Sequence, residues 1–401
     1  MPKISKKGVY LPSSPIRKLS SFADMTKKKG IKIYHLNIGQ PDIPTPYHAI
    51  ESLKNTSIET LAYGPSEGFE NYRKKLVKYY EKCNIFLSPN DLIITTGASE
   101  SLAFTMASIA DTDDEIIIPE PFYANYKTFA QVYGIKIIPI LSSIENHFML
   151  PPISAFEEKI SVNTKGILIC NPNNPTGALY TERDLHALKG LVKKHDLFLI
   201  SDEAYREFVY QDKQAPSLLS IADLDQHAIM IDSVSKRYSM CGARIGCIGS
   251  KNKVFMESVL KLAQARLCPP TLEQFAAEAA LDTPDQYFES IRAEYKQRRD
   301  TLIEGLLKMK GVVCPQPEGA FYCMAEFPIE DTDHFARWLL EDFHHKKETV
   351  MVAPASGFYN HGALGKKQIR LAYVLKSQEL KRATEILNSA LESYLGNTFE
   401  L

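Results

Sequence analysis

The sequence carries no strong excess of charge of either sign. Its 47 lysine and arginine residues nearly balance 48 aspartate and glutamate residues, for a formal net charge of −1. Proteins that bind nucleic acid or anionic membranes through bulk charge usually have a basic excess. The basic runs at 27–29 and 344–347 lack interleaved aromatic residues, so we interpret them as solvated surface. We therefore expect neither nucleic acid nor a membrane as a partner.

Patterned cysteines and long apolar segments are also missing. The seven cysteines are an odd number without a CxxC pair, which is typical of reduced thiols rather than of a disulfide framework or a zinc site. The first 15 residues contain no apolar core of a signal peptide, and no run reaches the ~18 apolar residues that a membrane span requires. These absences predict a cytoplasmic protein without a metal site.

What the sequence does contain is a series of short apolar runs, each too brief for a helix. Helix-like segments such as 99–110 and 181–195 lie between most of them, and Thr181 with Asp184 three residues later fits a helix N-cap. This alternation predicts an α/β fold with a mostly parallel sheet between layers of helices. The runs lie at 91–96, 115–119, 135–140, 166–170, 197–201 and 228–232.

The 401 residues are enough for two or three domains. A long amphipathic segment at 283–309 predicts a helix that could link two of them. It is followed by strand-like and helix-like segments that favour a smaller α+β unit. We predict a large domain at 47–290 and a small domain that combines 1–46 with 291–401.

Polar and aromatic residues follow nearly every predicted strand. Ligands of an open parallel sheet bind beyond the carboxyl ends of its strands, so we expect these side chains to line one crevice. They are Ala98, Ser99, Tyr123, Asn174, Asp202, Tyr205, Ser233, Ser235 and Lys236.

Each of these residues has a simpler structural explanation. The amides of Ala98 and Ser99 could bind a phosphate at a helix start, or Ser99 could be a plain N-cap. Asp202 could pair with a buried cation or cap the next helix. Tyr123 could pack in the core, and a lysine or arginine is usually a surface charge. A GxGxxG dinucleotide fingerprint is absent.

The combination is typical of a site for pyridoxal 5′-phosphate (PLP). Such sites use a lysine Schiff base and an acidic or basic partner for the pyridine nitrogen. An aspartate keeps that nitrogen protonated through a charge-assisted hydrogen bond worth ~1.5–3 kcal/mol, so that the ring can accept electrons. Lys236 would first hold the cofactor and then, once displaced by substrate, move a proton.

Four sequence blocks resemble the class I PLP-dependent aminotransferases, and in particular the aspartate aminotransferases. SVSKRYSMCGARIG at 233–246 is similar to the family's S-x-S-K-x-x-x-x-x-G-x-R-x-G signature, and three further blocks have the family's order and spacing. The resemblance covers residues 36 to 374 and implies the type I PLP-dependent transferase fold. The further blocks are LNIGQPDIPTP at 36–46, NPNNPTG at 171–177 and SDEAYREF at 201–208.

The resemblance implies a role for each residue that matches a family motif. Lys236 would form the Schiff base and transfer protons, Asp202 would hold the pyridinium, and Tyr123 would stack on the ring. Tyr205 and Asn174 would hydrogen-bond the phenolic oxygen of the cofactor. The phosphate would be bound by Ala98, Ser99, Ser233, Ser235 and Arg244.

The resemblance also implies a substrate subsite and a dimer. Arg370 would bind the substrate α-carboxylate bidentately, assisted by Asn174 and the Gly39 backbone. Tyr63 resembles the tyrosine that reaches the phosphate of the neighbouring subunit, which implies a homodimer with shared active sites.

Two segments depart from the family pattern. APASGF at 353–358 stands where many members have a Pro-Gly pair. Alignment on Pro269-Pro270 puts Ala263 where the aspartate-specific branch has an arginine for the distal carboxylate, and Arg266 is out of register. A dicarboxylate substrate therefore requires that Arg266 or another cation substitutes.

Three functions stay open on sequence alone. The first is a ping-pong aminotransferase that moves an amino group from an L-amino acid to a 2-oxo acid such as 2-oxoglutarate or pyruvate. The second is a carbon–sulfur lyase or another eliminating PLP enzyme with the same site residues. The third is a non-catalytic regulatory protein, for which the 35 residues before Leu36 are too few for a helix-turn-helix domain.

Overall fold

A computed structural model describes residues 2–12, 14–211 and 214–398. Its strands are β1 (Lys32–His35), β2 (Leu92–Thr95), β3 (Glu115–Glu120), β4 (Lys136–Leu141), β5 (Thr164–Cys170), β6 (Phe198–Asp202), β7 (Ala228–Ser233), β8 (Gly246–Gly249), β9 (Tyr322–Glu326), β10 (Glu348–Met351), β11 (Ala353–Pro354) and β12 (Gln368–Ala372).

The helices of the same residues range from one turn to six turns. They are α1 (Lys6–Tyr10), α2 (Ser20–Lys28), α3 (Tyr47–Lys54), α4 (Glu70–Lys82), α5 (Gly97–Ile109), α6 (Asn125–Tyr133), α7 (Ile153–Glu157), α8 (Glu182–His195), α9 (Val234–Arg237), α10 (Lys253–Arg266), α11 (Thr271–Ala280), α12 (Asp285–Leu307), α13 (Thr332–Glu341) and α14 (Ser377–Thr398).

The largest sheet has seven strands in the order β2-β8-β7-β6-β5-β3-β4. The pairs from β7 through β6, β5 and β3 to β4 are parallel, whereas β8 runs antiparallel to both of its neighbours. All six apolar runs predicted as strands belong to this sheet. β8 was not predicted because its sequence, GCIG, is four residues long and half glycine.

Helices cover both faces of this sheet. In β5, Ile167 and Ile169 belong to an apolar cluster with residues of α4, α8 and α11. The intervening Leu168 belongs to a second cluster with residues of α5, α6 and α10. Side chains of a strand alternate between its faces, so a run buried throughout lies between two layers. The predicted mostly parallel α/β fold is confirmed.

Helix α8 shows how the sequence sets an element boundary. The Thr181 side chain accepts a hydrogen bond from the Asp184 amide, and the Asp184 carboxylate accepts one from the Thr181 amide at 2.7 Å. This capping box satisfies two amides that a helix start leaves free. The predicted N-cap is confirmed.

A second apolar core lies around two smaller sheets. β1 pairs with β10 in parallel, and β11, β12 and β9 form an antiparallel sheet. Helices α2, α12, α13 and α14 pack against them. The predicted domain boundary at 290/291 falls inside the continuous helix α12, where Phe288 belongs to the first core and Ile291 to this one. No helix in the described part of the chain could cross a membrane.

Candidate active site

Lys236 lies where β7 ends and the single turn α9 begins. Ser233 caps this turn, because its side chain accepts a hydrogen bond from the Ser235 amide at 3.1 Å. The Lys236 Nζ donates to the Gly39 carbonyl at 2.8 Å and lies 3.6 Å from the Cys241 sulfur. The predicted Lys236 and Gly39 therefore meet although they are far apart in sequence.

Asp202 is a buried carboxylate at the end of β6. Its Oδ2 accepts a hydrogen bond from the Tyr126 hydroxyl at 2.8 Å, and its Oδ1 accepts one from the Ala204 amide at 3.2 Å. Burial raises the pKa of Asp202 to about 6, the two hydrogen bonds oppose that rise, and the nearby Asp232 adds to it. No lysine or arginine in the described ranges pairs with this carboxylate.

Asn174 connects two parts of the site through the two ends of its amide. The Nδ2 donates to the Tyr205 hydroxyl at 3.2 Å, and the Oδ1 accepts from Nη1 of Arg370 at 3.2 Å. The Tyr205 hydroxyl also lies 3.0 Å from that of Tyr322. Burial, followed by the neighbouring Tyr322, raises the pKa of Tyr205 well above its usual range.

Arg370 is a buried cation without a carboxylate partner in the described part of the chain. Its Nη2 donates to the Asn37 carbonyl at 2.5 Å, and its Nε finds no hydrogen-bond partner there. The guanidinium lies 4.6 Å from the ring centre of Tyr322 and 4.8 Å from that of Phe358. Burial lowers the pKa of Arg370. An anionic ligand would neutralise the charge of this buried guanidinium.

Two of the predicted phosphate-binding residues, Ala98 and Ser99, lie in the first turn of α5, and Arg244 approaches this turn. Gly97 has a positive φ of 73°, and a Cβ there would come within 2.3 Å of the Arg244 guanidinium. A Cβ on Gly246 would come within 2.7 Å of the Ala98 amide nitrogen. Ser99 lies inside the first turn of α5 and is not its N-cap, so the simpler explanation of this serine is wrong. The Ser233 hydroxyl donates to the Ser235 hydroxyl at 2.9 Å.

Tyr123 packs beside these groups. Its hydroxyl accepts a hydrogen bond from Asn125 at 2.8 Å, and its ring meets the edge of Tyr126 at 5.5 Å between centres. Burial raises the pKa of Tyr123 to about 12. Because Tyr126 contacts both Tyr123 and Asp202, the predicted stacking residue and the predicted pyridinium partner share one neighbour.

Three residues of the site were not predicted from the sequence: Tyr126, Asn37 and Tyr322. Tyr126 follows the third strand only three residues after Tyr123, so a wider window after each strand end would have included it. Asn37 contributes a backbone carbonyl, which leaves no sequence signal. Tyr322 comes from β9 of the smaller sheet, and only the tertiary fold brings it to the strand ends.

Two predicted residues stand outside this cluster. Tyr63 is 81 % exposed and takes part in none of these contacts within one protomer. Arg266 forms an ion pair with Glu100 at 2.6 Å and donates to the Ser66 carbonyl at 2.8 Å. Its two terminal nitrogens are thus bonded by the chain itself, whereas its Nε has no hydrogen-bond partner among the described residues.

The chemistry of these groups fits PLP. A buried carboxylate without a cationic partner suits a protonated pyridine nitrogen, and Lys236 offers an amine for the aldehyde. Because Gly97 has no Cβ, the Arg244 guanidinium lies against the start of α5, and a cation beside the first amides of a helix suits a phosphate. An arginine with an unsatisfied Nε suits the carboxylate of an amino acid. The fold and the site therefore define a PLP-dependent enzyme that acts on amino acids.

Comparisons with known proteins agree with this class. Residues 31–387 match the family described as aminotransferase class I and II, and the chain belongs to it. It is 30 % identical to the aspartate aminotransferase of Bacillus subtilis strain 168, over 98 % of this chain and 100 % of that protein. It is 31 % identical to the aromatic-amino-acid aminotransferase 2 of Thermococcus litoralis, over 94 % of this chain and 96 % of that one.

A solved structure supports the same family. The alanine aminotransferase from Pyrococcus furiosus superposes with a TM-score of 0.89 at 30 % identity, covering 98 % of this chain and all of that one. The protein is a PLP-dependent transaminase, as the sequence predicted. The names of these relatives include aspartate, aromatic and alanine aminotransferases, so they leave the amino acid open.

Proposed function

We propose that this site moves the amino group of an L-amino acid to 2-oxoglutarate or pyruvate in two half-reactions of a ping-pong cycle. One observation carries the proposal: the Asn174 amide bonds Arg370 with its oxygen and Tyr205 with its nitrogen, at 3.2 Å each. Asn174 thereby fixes the separation of Arg370 and Tyr205, which would bind the substrate carboxylate and the phenolic oxygen of the cofactor. Such positioning is a main source of rate enhancement.

PLP, when bound, supplies an electron sink for the charge left when the bond from the amino-acid Cα to its hydrogen breaks. Asp202 would accept a hydrogen bond from the protonated ring nitrogen, and Tyr123 would lie against the ring. Ala98 and Ser99 would offer backbone amides to the phosphate, with Ser233, Ser235 and Arg244 as further donors.

Lys236 moves the proton in this proposal. Its Nζ would hold the cofactor between turnovers and become free when the substrate amine replaces it. In one half-reaction the Nζ would take the proton from the Cα of the amino-acid donor and pass it to the cofactor, and in the other it would take a proton back and deliver it to the Cα of the oxo acid. The Gly39 carbonyl, 2.8 Å from Nζ, orients the amine.

Arg370 would bind the substrate carboxylate with two parallel hydrogen bonds. The Asn174 amide bonds Arg370 at 3.2 Å and would complete that subsite together with the Gly39 backbone. Because both the amino acid and the oxo acid carry this carboxylate, one subsite serves both half-reactions.

A panel of amino-acid donors, each with 2-oxoglutarate and with pyruvate as acceptor, tests this function. Transamination predicts that glutamate or alanine forms only when donor and acceptor are both present. Pyruvate and ammonia released from a donor without any oxo acid would instead indicate an eliminating enzyme. Borohydride treatment of the holoenzyme should fix the cofactor on Lys236, and Lys236→Ala is the control that should stay unlabelled.

The chain would act as a homodimer in which Tyr63 reaches the partner's phosphate site. The support is an exposed apolar surface around α3, since Tyr47 is 70 %, Leu61 63 % and Tyr63 81 % exposed. Large exposed apolar side chains of this kind are typical of interaction sites. A second copy fits it, because Tyr63 is exposed and makes none of the site contacts with the described residues of its own protomer.

Mixed dimers test the shared site. When Lys236→Ala and Tyr63→Phe chains are mixed, a hybrid has one site with Lys236 and a native partner Tyr63. Sharing predicts that such hybrids recover the native PLP affinity at one site per dimer. If Tyr63 acted within its own chain, no hybrid site would recover it. Light scattering of the native protein gives the oligomeric state directly.

Two further proposals concern organisation and location. The chain would divide into a large domain at 47–290 and a small domain of 1–46 with 291–401. Support comes from the change of apolar core between Phe288 and Ile291 in α12.

The protein would be cytoplasmic, which suits its seven free cysteines. Limited proteolysis and cell fractionation test the two statements.

A further inference from the structure

Tyr322 contacts three residues with different proposed roles in the site: Arg370, Gly39 and Tyr205. It begins β9 and is 2 % exposed. Its hydroxyl lies 3.0 Å from that of Tyr205, and its ring faces the Arg370 guanidinium at 4.6 Å. A Cβ on Gly39 would lie 1.7 Å from the Tyr322 hydroxyl oxygen, so the two residues are packed as closely as a glycine permits.

The hydrogen bonds around Tyr205 determine which acceptor its hydroxyl proton can reach. A tyrosine hydroxyl has one proton to donate and accepts up to two hydrogen bonds. Asn174 Nδ2 already donates to the Tyr205 hydroxyl at 3.2 Å. If Tyr205 also donated to Tyr322, its proton would be used and none would remain for a ligand. If Tyr322 donates instead, Tyr205 accepts two bonds and keeps its proton free.

We propose that Tyr322 is a positioning residue that donates its hydrogen bond to Tyr205 and thereby directs the Tyr205 proton toward the phenolic oxygen of PLP. The inference rests on the proposed role of Tyr205 and adds a residue to that site. Hydrogen bonds in a chain polarise one another, so a donor behind Tyr205 strengthens the bond that Tyr205 makes. Tyr322 itself touches Tyr205, Gly39 and Arg370.

This role has a spectroscopic consequence in the holoenzyme. The visible absorption of lysine-bound PLP changes with the protonation of the nitrogen that joins the two. A hydrogen bond to the neighbouring phenolic oxygen withdraws negative charge from it, so the nitrogen holds its proton less tightly. Loss of the Tyr322 hydroxyl should weaken that bond. The pH midpoint of the absorption change should then rise by about half a unit.

The test is a pH titration of the absorption of the native holoenzyme and of four variants. Tyr322→Phe should raise the midpoint, and Tyr205→Phe should raise it further. Tyr322→Phe added to Tyr205→Phe should cause no additional rise, because Tyr322 affects the cofactor only through its hydrogen bond to the Tyr205 hydroxyl. Tyr373→Phe is the matched control: this buried tyrosine hydrogen-bonds the Ala320 carbonyl and should leave the midpoint unchanged.

Two results would overturn the inference in distinguishable ways. A midpoint that moves in Tyr205→Phe but not in Tyr322→Phe would remove the role of Tyr322 and leave that of Tyr205 intact. A midpoint that stays unchanged in Tyr205→Phe would remove the proposed role of Tyr205 and this inference together. A further rise in the double variant would mean that Tyr322 acts by another route and would also overturn it.

Discussion

The Tyr126 hydroxyl donates a hydrogen bond to Oδ2 of Asp202 across 2.8 Å. The donor is neutral, as is the Ala204 amide that bonds the other carboxylate oxygen. The carboxylate is thus oriented, but its charge is not balanced by a cation of the described residues, and burial raises its pKa to about 6. A cationic ring nitrogen would supply the missing charge. The apoprotein and the cofactor-bound protein should therefore differ in how their stability responds to pH.

Asp202→Asn should stabilise the apoprotein above pH 6. The folded-state pKa of about 6 lies above the ordinary value of 3.8, so the folded chain binds more protons than the unfolded chain between those values. The free energy of unfolding of the native apoprotein therefore falls as pH rises through this window. The shift corresponds to about 3 kcal/mol. Urea unfolding of both apoproteins from pH 4 to pH 8 measures it.

The difference between the two apoproteins should close near pH 4, where Asp202 is protonated in the folded chain. Tyr126→Phe provides a contrast, because it removes a hydrogen bond that lowers the pKa of Asp202 and should destabilise the apoprotein further at pH 8. An Asp202→Asn apoprotein less stable than the native one at pH 8 would contradict the charge argument.

Arg370→Ala should raise KM for the amino acid and for the oxo acid alike. Arg370 carries the only buried charge that faces Asn174 and has no carboxylate partner among the described residues. Loss of a buried charge-assisted pair costs about 2–5 kcal/mol, which predicts a rise on the order of 100-fold. Steady-state kinetics of both half-reactions measure it, and Arg337→Ala, an exposed ion-pair partner of Glu341, is the control. An effect on one substrate only would remove the shared role.

Much of the fold and of the site was accessible from the sequence, because both depend on local patterns. The buried strands are continuous apolar runs, and polar groups such as Asp202 and Lys236 follow directly at their ends. β8 escaped prediction because packing, and not a long apolar run, keeps GCIG extended. Tyr322 escaped because its partner Tyr205 lies 117 positions away, and no local pattern records that contact.

Gly39→Ala should impair catalysis while the fold is retained. The added methyl group would lie 1.7 Å from the Tyr322 hydroxyl oxygen and 2.3 Å from its ring, so Tyr322 or the Gly39 backbone must move. Movement of Tyr322 disturbs its 3.0 Å contact with the Tyr205 hydroxyl, and movement of the backbone disturbs the carbonyl that accepts from Lys236 at 2.8 Å. Misplacement of about 1 Å can lower the rate about 100-fold. The measurement is kcat/KM together with circular dichroism.

Gly190→Ala is the matched control for that substitution. Gly190 lies within α8, and a Cβ there meets nothing within 4 Å. Alanine should stabilise this helix by up to about 1 kcal/mol and leave kcat/KM unchanged. Equal losses of activity in the two variants would show that a methyl group at position 39 has no specific effect on the site.

Arg266→Ala should lower stability without changing substrate choice. The Arg266 guanidinium pairs with Glu100 at 2.6 Å and donates to the Ser66 carbonyl at 2.8 Å, while Glu100 also accepts from the Thr96 amide before α5. Its removal leaves Glu100 half-buried with the Thr96 amide but without a cation, at a cost of about 2 kcal/mol. Urea unfolding measures this loss. Turnover of aspartate, glutamate and alanine should fall by the same factor; a selective loss for the two dicarboxylates would show that Arg266 binds a distal carboxylate after all.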